Sequence, residues 1–411
     1  MSKTASSRDV IVVGAGAIGA AVAWRCAQRG LSVTVVDPAP ERGAWHTAAG
    51  MLAPITELHY AETPLLRLNL DALARYPAFT AELTELTGLP TGFRECGTVS
   101  IAWDGADLAA LHELHAFGRT LGIEATLLTG RELRELEPAL AAGLPGGLLA
   151  RDDHQVDPRL LHAALFAAAE RAGVHRHTGH ARLDVAGERA VGVCLDDGSR
   201  LSAATVVLAA GAWSAHVEGV PAEFAPPVRP VKGQTLRLRL PGEPRLHHVV
   251  RGSVKGTPIY AVPHADGQLV VGASSEEVGY DLSPRAGAVY ELLRDAQSIL
   301  PELGEAVLEE VSTGLRPCSP DNAPIIGPSG LAGLIHATGH YRNGILLTPV
   351  TADGVAELIT TGVLPDALTP FAPARFRQAV QPTSEHPSER QRARSGANPA
   401  MSARAKSRAD Q

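Results

Sequence analysis

The chain has 411 residues, 45% apolar and 20% charged, with 37 basic and 44 acidic side chains and a formal net charge of −7. These proportions describe a folded globular protein of one or two domains and exclude wholesale disorder and a collagen-like chain. Residues 375–411 hold eight basic against three acidic side chains, net +5, which leaves −12 for residues 1–374; the bulk of the chain therefore offers no basic field to nucleic acid.

The polar opening, residues 1–9, runs straight into a strand-like segment, and Arg25 interrupts the first helical stretch, so neither a signal peptide nor a membrane span is expected. Cys26, Cys96, Cys194 and Cys318 stand far apart without a CxxC pair, which predicts reduced thiols and a cytoplasmic location.

In chain order, residues 10–13 predict a strand, Gly14, Gly16 and Gly19 a tight turn, 17–29 a helix of small residues and 33–36 a second strand. Together they make a right-handed βαβ unit. The stretch 65–121 reads as mostly helical around a strand at 98–102, and Thr129 with Glu132 makes a capping box for a short helix. Asp157 followed by Pro158 opens a helix to 172, because Asp caps the first turn and Pro suits its first position. Two short strands meet about 187–189, a turn falls at Asp196-Asp197-Gly198, and an apolar strand follows at 205–209. Between 228 and 272, strand-like runs separated by Pro and Gly predict an antiparallel sheet. Ser283-Pro284 is read as the start of a helix, 334–337 as a strand and 349–361 as the last helix. Beyond Phe376 the composition, rich in Ser, Arg, Ala and Pro without apolar periodicity, predicts a disordered basic tail over 375–411.

Glycines at 14, 16 and 19 directly after a strand permit a tight turn, close approach of the backbone to a pyrophosphate and close helix packing, while the helix N-terminus attracts the anion. Asp37, at the end of the second strand, is placed to accept hydrogen bonds from a ribose and to repel a 2′-phosphate. FAD and NAD both use this geometry. Small residues recur at Thr47-Ala48-Ala49-Gly50-Met51 and Ala210-Gly211-Ala212, and the glycine segment Thr338-Gly339-His340-Tyr341-Arg342-Asn343-Gly344 precedes the last helix, presenting its N-terminal end. A long cofactor gripped at sites spread over the whole chain points to FAD rather than to a co-substrate that must dissociate. His175, His177 and His180 lie close together and His247-His248 form a pair, but no carboxylate or Cys stands at ligand spacing, so no metal site is expected.

Six motifs occur in order: Gly14-x-Gly16-x-x-Gly19, Ala48-Ala49-Gly50-Met51-Leu52, Pro230-Val231-Lys232-Gly233, Tyr260-Ala261-Val262-Pro263, Gly314-Leu315-Arg316-Pro317 and Gly339-His340-Tyr341-Arg342-Asn343-Gly344-Ile345-Leu346. In this combination, spanning about 10–371, the chain resembles the glycine oxidase branch of the D-amino-acid oxidase family of FAD enzymes. The resemblance implies an α/β fold: a doubly wound, Rossmann-like FAD-binding domain over 8–53, 150–220 and 325–374, interleaved with an antiparallel-sheet α+β substrate domain over 54–149 and 221–324. It implies that Arg316 captures the substrate carboxylate, for which a planar guanidinium suits bidentate binding. Tyr260 would donate to the same carboxylate, Arg342 would lie near the flavin edge, and Met51 at the pocket. The structural alternatives are a surface or interdomain ion pair for Arg316, an ordinary strand aromatic for Tyr260 and core filler for Met51.

The FAD contacts implied by the resemblance fall on Gly14, Gly16, Ala17, Ile18, Gly19, Asp37, Pro38, Ala49, Gly50, Met51, the backbone near His180, Gly211, His340, Tyr341, Arg342, Asn343, Gly344, Ile345 and Leu346. At Ala44, Trp45 and His46 the chain departs from the small hydroxyl residues that related enzymes place near the flavin phosphates. Some sarcosine-oxidising relatives attach flavin to a Cys whose matching position here is Gly314, so the resemblance implies non-covalent FAD. The implied activity is oxidative deamination of glycine or another small amino acid such as sarcosine or D-alanine. Hydride passes to flavin N5 and O2 accepts the electrons, giving imine or glyoxylate, ammonia and H2O2. The resemblance also implies a role in thiamine biosynthesis, with the imine handed to thiazole synthase, and a homo-oligomer, a tetramer in related oxidases. The rival readings are an amino-acid oxidase or dehydrogenase with another acceptor, and an NAD(H)-binding regulator without turnover.

Overall fold

From Val10 onward the apolar strand Arg8–Val13 is buried, the condition of a central parallel strand covered by helices. The structure, a computed structural model, describes residues 7–242 and 246–377. Arg8–Val13 lies between Val33–Asp37 and Arg200–Leu208 and runs parallel to both. His175–Thr178 continues the sheet on one side; Leu334–Thr338 and then Ile325–Pro328 continue it on the other, the last strand antiparallel. A hairpin of Ala181–Ala186 and Arg189–Leu195 pairs antiparallel with Arg200–Leu208. Helices Ala17–Gln28, Pro158–Arg171 and Thr348–Thr361 share one apolar core with this sheet, in which Trp24, Leu161, Leu165 and Val355 pack with Val10 and Val12. The long helix Thr63–Thr87 adds Leu65, Leu68, Tyr76 and Phe79 to the same core.

The second sheet has the spatial order Val307–Cys318, Arg229–Arg239, Gln268–Gly272, Thr257–Pro263, Val249–Val254, Thr98–Ala102, Gly146–Ala150, Thr126–Thr129. Helix Ala286–Ile299 lays Leu292, Ala296 and Ile299 against it. The strands within 228–272 pair antiparallel as expected; the larger sheet is mixed, because Val249–Val254 also runs parallel to Thr98–Ala102. Those strands come from distant segments joined by a crossover rather than a hairpin, and the Pro and Gly pattern of 228–272 carries no trace of it.

Local signals held where their chemistry is local. Both bonds of the Thr129–Glu132 capping box form, and the Asp157 carboxylate accepts from the Arg159 and Leu160 amides at the start of Pro158–Arg171. The helix expected at Ser283-Pro284 begins later, at Ala286. The Asp281 carboxylate takes the Ser283 amide and the Arg285 guanidinium, so these residues form a side-chain-closed turn ahead of the helix. Both sheets belong to one compact unit that ends at Arg375, and of the predicted tail, residues 378–411 lie outside the described residues. No helix among the described residues is long and apolar enough to cross a membrane.

Candidate cofactor and substrate site

Gly14 follows the first strand with φ 107°, and a Cβ there would sit 2.6 Å from the Ala209 carbonyl carbon. A Cβ on Gly19 would overlap the Gly14 carbonyl. The turn is thus closed against the neighbouring strand end and against its own helix. Gly16 is the N-cap of Ala17–Gln28 and supplies no side-chain cap, which leaves the first-turn amides, including those of Ala17 and Ile18, facing the crevice at the carboxyl ends of the parallel strands. The Asp37 carboxylate accepts the Ala15 amide at 2.6 Å and the Ala39 amide at 2.8 Å and keeps lone pairs for a ribose; Pro38 beside it is exposed. The Gly179 amide donates to the Asp37 carbonyl, so His180 lies at this same strand end. His180 is exposed and its amide donates to Asp196 at 2.8 Å.

The segment after Gly43 differs from the expected pattern. Trp45 stacks on His162 with ring centroids 3.6 Å apart, and His162 Nε2 lies 2.9 Å from the Ala15 carbonyl. Burial pushes His162 down to about 4, so the neutral ring donates to that carbonyl. The Trp45 indole N–H is buried and has no partner among the described residues. Its ring stands 3.8 Å from where a Gly16 Cβ would be, and an unpaired buried donor at this place suits an anionic ligand. The His46 carbonyl accepts from Arg159 and Arg237, and the Thr47 carbonyl accepts from Thr235, which pins this segment to the second sheet. Buried Ala49 and Gly50 lead into Met51–Leu52, paired with His154–Gln155, and Met51 packs in one cluster with Ala49 and Tyr260.

Gly211, at φ 54°, has its carbonyl bonded by Thr338 and open space where a Cβ would be. In the loop before the last helix, His340 is buried and its ring meets Thr351 at 3.1 Å. Burial pushes it down to about 3, so the ring is a neutral strut turned into the protein. The Tyr341 amide donates to Pro317, the Asn343 amide to His340, and the carbonyls of Gly344 and Ile345 accept from Thr348 and Tyr76. The amides of Arg342, Gly344, Ile345 and Leu346 take no acceptor among the described residues. A row of free amides ahead of a helix, together with the unpaired Trp45 donor and the closed glycine turn, fits a ligand that carries both a pyrophosphate and ring carbonyls.

Tyr260 and Arg316 sit on the second sheet, and each lies flat across a glycine of a neighbouring strand. Tyr260 is directly opposite Gly272, where a Cβ would be 2.5 Å from Tyr260 Cζ. A Cβ on Gly233 would be 2.5 Å from Arg316 Nη2 and 2.6 Å from its Cζ. Arg316 Nη1 donates to the carbonyls of Ser274 at 3.1 Å and Lys232 at 3.4 Å. Its other N–H groups take no protein acceptor among the described residues. Burial pushes the Tyr260 phenol up, against the opposing pull of Arg316, so it remains a hydroxyl donor. Lys232 is fully buried but neutralised by Glu276 at 3.0 Å, so it does not compete for an anion. Arg342 is exposed. It lines a cavity of about 410 Å³ with Glu57, His59, Glu62, Tyr341 and Asn343.

Several residues here escaped the sequence reading. Arg251 pairs with Glu57 at 3.2 Å, and fully buried Asp153 gathers the Ile55 and Thr56 amides and the Thr56 hydroxyl. Burial pushes Asp153 up to about 7. No spacing announces these contacts; Gly233 did stand within a recognised motif, and Gly272 ends an apolar strand. No group of three His, Cys, Asp or Glu side chains converges among the described residues. His247 and His248 instead surround the buried Glu137, which accepts both backbone amides and meets His248 Nδ1 at 2.6 Å.

The family described as FAD dependent oxidoreductase (DAO) matches residues 9–358. The chain is 35% identical over 381 residues to the bifunctional protein ThiO/ThiG of Trichormus variabilis, covering 92% of this chain and 56% of that one. It therefore spans about half the length of that relative. It is 34% identical over 370 residues to a glycine oxidase of Geobacillus kaustophilus, covering 89% of this chain and 97% of the relative. The crystal structure of glycine oxidase from Geobacillus kaustophilus superposes with a TM-score of 0.82 at 34% identity, over 89% of this chain and 98% of that one. With the glycine turn, the free amides and the shared α/β architecture, these matches place the chain in the DAO family of FAD dependent oxidoreductases.

Proposed function

We propose that the protein oxidises glycine and other small amino acids, such as sarcosine and D-alanine, with FAD held non-covalently. The observation that carries this reading is the placement of Tyr260 and Arg316 across Gly272 and Gly233, with the outer N–H groups of Arg316 left for a carboxylate. Arg316 and the Tyr260 hydroxyl hold that carboxylate by charge-assisted hydrogen bonds, and Met51 beside Tyr260 closes the apolar side of the pocket. FAD, when bound, would supply a two-electron acceptor for the hydride that leaves the α-carbon, the electrons ending on O2 as H2O2. A neutral amine expels that hydride with its own lone pair as the C=N bond forms, so orientation by the chain, not a side-chain base, supplies much of the rate. The imine leaves or hydrolyses to glyoxylate and ammonia.

The residues that would hold FAD are the turn at Gly14, Gly16 and Gly19, Asp37 and Pro38 at the ribose, residues 49–51, the backbone at His180 and Gly211, and the loop 340–346, with Arg342 at the ring edge. This reading divides the chain into an FAD-binding part (8–53, 150–220, 325–374) and a substrate part (54–149, 221–324). It makes the protein a cytoplasmic homo-oligomer, with neither nucleic acid nor membrane as a partner, that hands its imine to a thiazole synthase for thiamine. The bifunctional name of the ThiO/ThiG relative supports that last step. The test is peroxide formation by the purified protein across a panel of small amino acids, with and without an artificial electron acceptor. Peroxide from glycine supports the reading. Turnover only with the artificial acceptor makes the enzyme a dehydrogenase, and a colourless protein that binds NADH overturns the proposal.

A further inference from the structure

Arg251 stands directly opposite Tyr260 in the antiparallel pair of Val249–Val254 with Thr257–Pro263, so the two side chains share a face of the sheet. Its guanidinium is turned to Glu57, at 3.2 Å, and to the Thr56 hydroxyl, at 3.4 Å. The two charged side chains are only 21% and 19% exposed. Glu57 in turn lines the cavity that holds Arg342. The ion pair therefore bridges the ground between the Tyr260 wall and the Arg342 wall. Glu57 is not free to drift from this place, because Asp153 pins the two preceding residues with three hydrogen bonds.

We propose that the Glu57–Arg251 ion pair is a charge filter on the substrate site, which admits amino acids with one carboxylate and turns away dicarboxylic ones. This inference rests on the amino-acid-oxidising reading above. The selection is by charge. Arg316 is reserved for the α-carboxylate, and Arg251 is a second planar fork within reach of the same wall, which unmasked would take a second carboxylate bidentately. Glu57 occupies that fork and, with Glu62 on the same cavity, faces Arg342 with negative charge. A second carboxylate entering here meets a neutralised cation and a repelling acid.

The experiment compares kcat/KM for glycine with kcat/KM for iminodiacetate and D-aspartate in FAD-loaded wild type, Glu57→Gln, and the double variant Glu57→Gln with Arg251→Met. In Glu57→Gln the dicarboxylate-to-glycine ratio rises about tenfold or more, as expected for unmasking a half-buried charge. In the double variant it returns to the wild-type level. An unchanged ratio in Glu57→Gln, or a raised ratio that survives in the double variant, overturns the filter. A second arm needs no variant and no turnover: in wild-type holoenzyme, perturbation of the flavin absorbance reports binding of acetate and propanoate against malonate and succinate. The monocarboxylates bind about tenfold more tightly if the filter operates, and equal or tighter dicarboxylate binding refutes it. Wild type that oxidises no amino acid overturns the parent reading, whereas glycine oxidation with unaltered ratios overturns the filter alone.

Discussion

Gly233→Ala is a perturbation confined to the tip of Arg316. The new Cβ would lie 2.5 Å from Nη2 and 2.6 Å from Cζ, against an ordinary optimum of about 3.5 Å, so the guanidinium must retreat by about 1 Å. Because the displaced atoms are the far end of a long, flexible side chain, folding stability should change by less than about 1 kcal/mol. The retreat breaks the Nη1 bonds to Ser274 and Lys232 and misaligns the carboxylate contact. A hydrogen bond to a charged group contributes roughly 1.5–3 kcal/mol, so kcat/KM for glycine should fall about 10- to 100-fold. The loss should fall mainly on KM, since the carboxylate is held equally in ground and transition states. Steady-state peroxide formation, flavin content and Tm measured on one preparation decide the matter. A KM within about threefold of wild type would fall below the smallest loss expected from one such bond and remove Arg316 from the substrate site. Loss of FAD or a large drop in Tm would show that more than the tip had moved.

Gly272→Ala drives a Cβ into the Tyr260 ring, 2.5 Å from Cζ and 2.8 Å from Cε2; a rigid ring cannot swing aside, so about 1–3 kcal/mol of stability should be lost along with glycine affinity, and a Tm equal to that of Gly233→Ala would refute the contrast. His162 and His340 are held neutral down to about 4 and about 3, while in the unfolded chain they protonate near their ordinary value of about 6.5. Their stabilising effect is complete above that value and declines as pH falls, by about 2 kcal/mol each at about pH 5. The slope of ΔG against pH should shrink in His340→Gln, and a stability flat from neutral to about pH 4.5 would contradict both assignments. Denaturing the holoenzyme should release all of its flavin into the supernatant, and yellow precipitate would contradict non-covalent attachment at a site whose matching residue is Gly314.

The dinucleotide-binding turn was legible because its chemistry is local: three glycines, a helix and an acid fall within one βαβ unit and point to a pyrophosphate and a ribose, whereas FAD rather than NAD needed the segments spread over the rest of the chain. Tyr260 and Arg316 lie in motifs, but why each needs a glycine is set by the sheet: Gly272 is directly opposite Tyr260, and Gly233, diagonal to Arg316, lies under its guanidinium. Glu57 and Arg251 are far apart in the chain and belong to no motif, and the same holds for Asp153 with Thr56 and Glu137 with His248. Contacts of this kind depend on how segments cross, and neither periodicity nor turn chemistry encodes that. The parallel pairing of Val249–Val254 with Thr98–Ala102 was hidden for the same reason. Trp45 stands out in the sequence as a departure from the related pattern, yet its stacking on His162 and its unpaired indole N–H arise only from tertiary packing.

One titration bears on all of this at once: glycine added to the oxygen-free yellow holoenzyme, followed in the visible flavin band, first with wild type and then with Arg316→Ala. Wild type should bleach, and regain its colour with release of peroxide when air is admitted; Arg316→Ala should keep its flavin yet need far more glycine to bleach. A wild-type band that stands unchanged before glycine, sarcosine and D-alanine alike, or an Arg316→Ala enzyme that bleaches at the same glycine concentration, would contradict the chemistry assigned to this site.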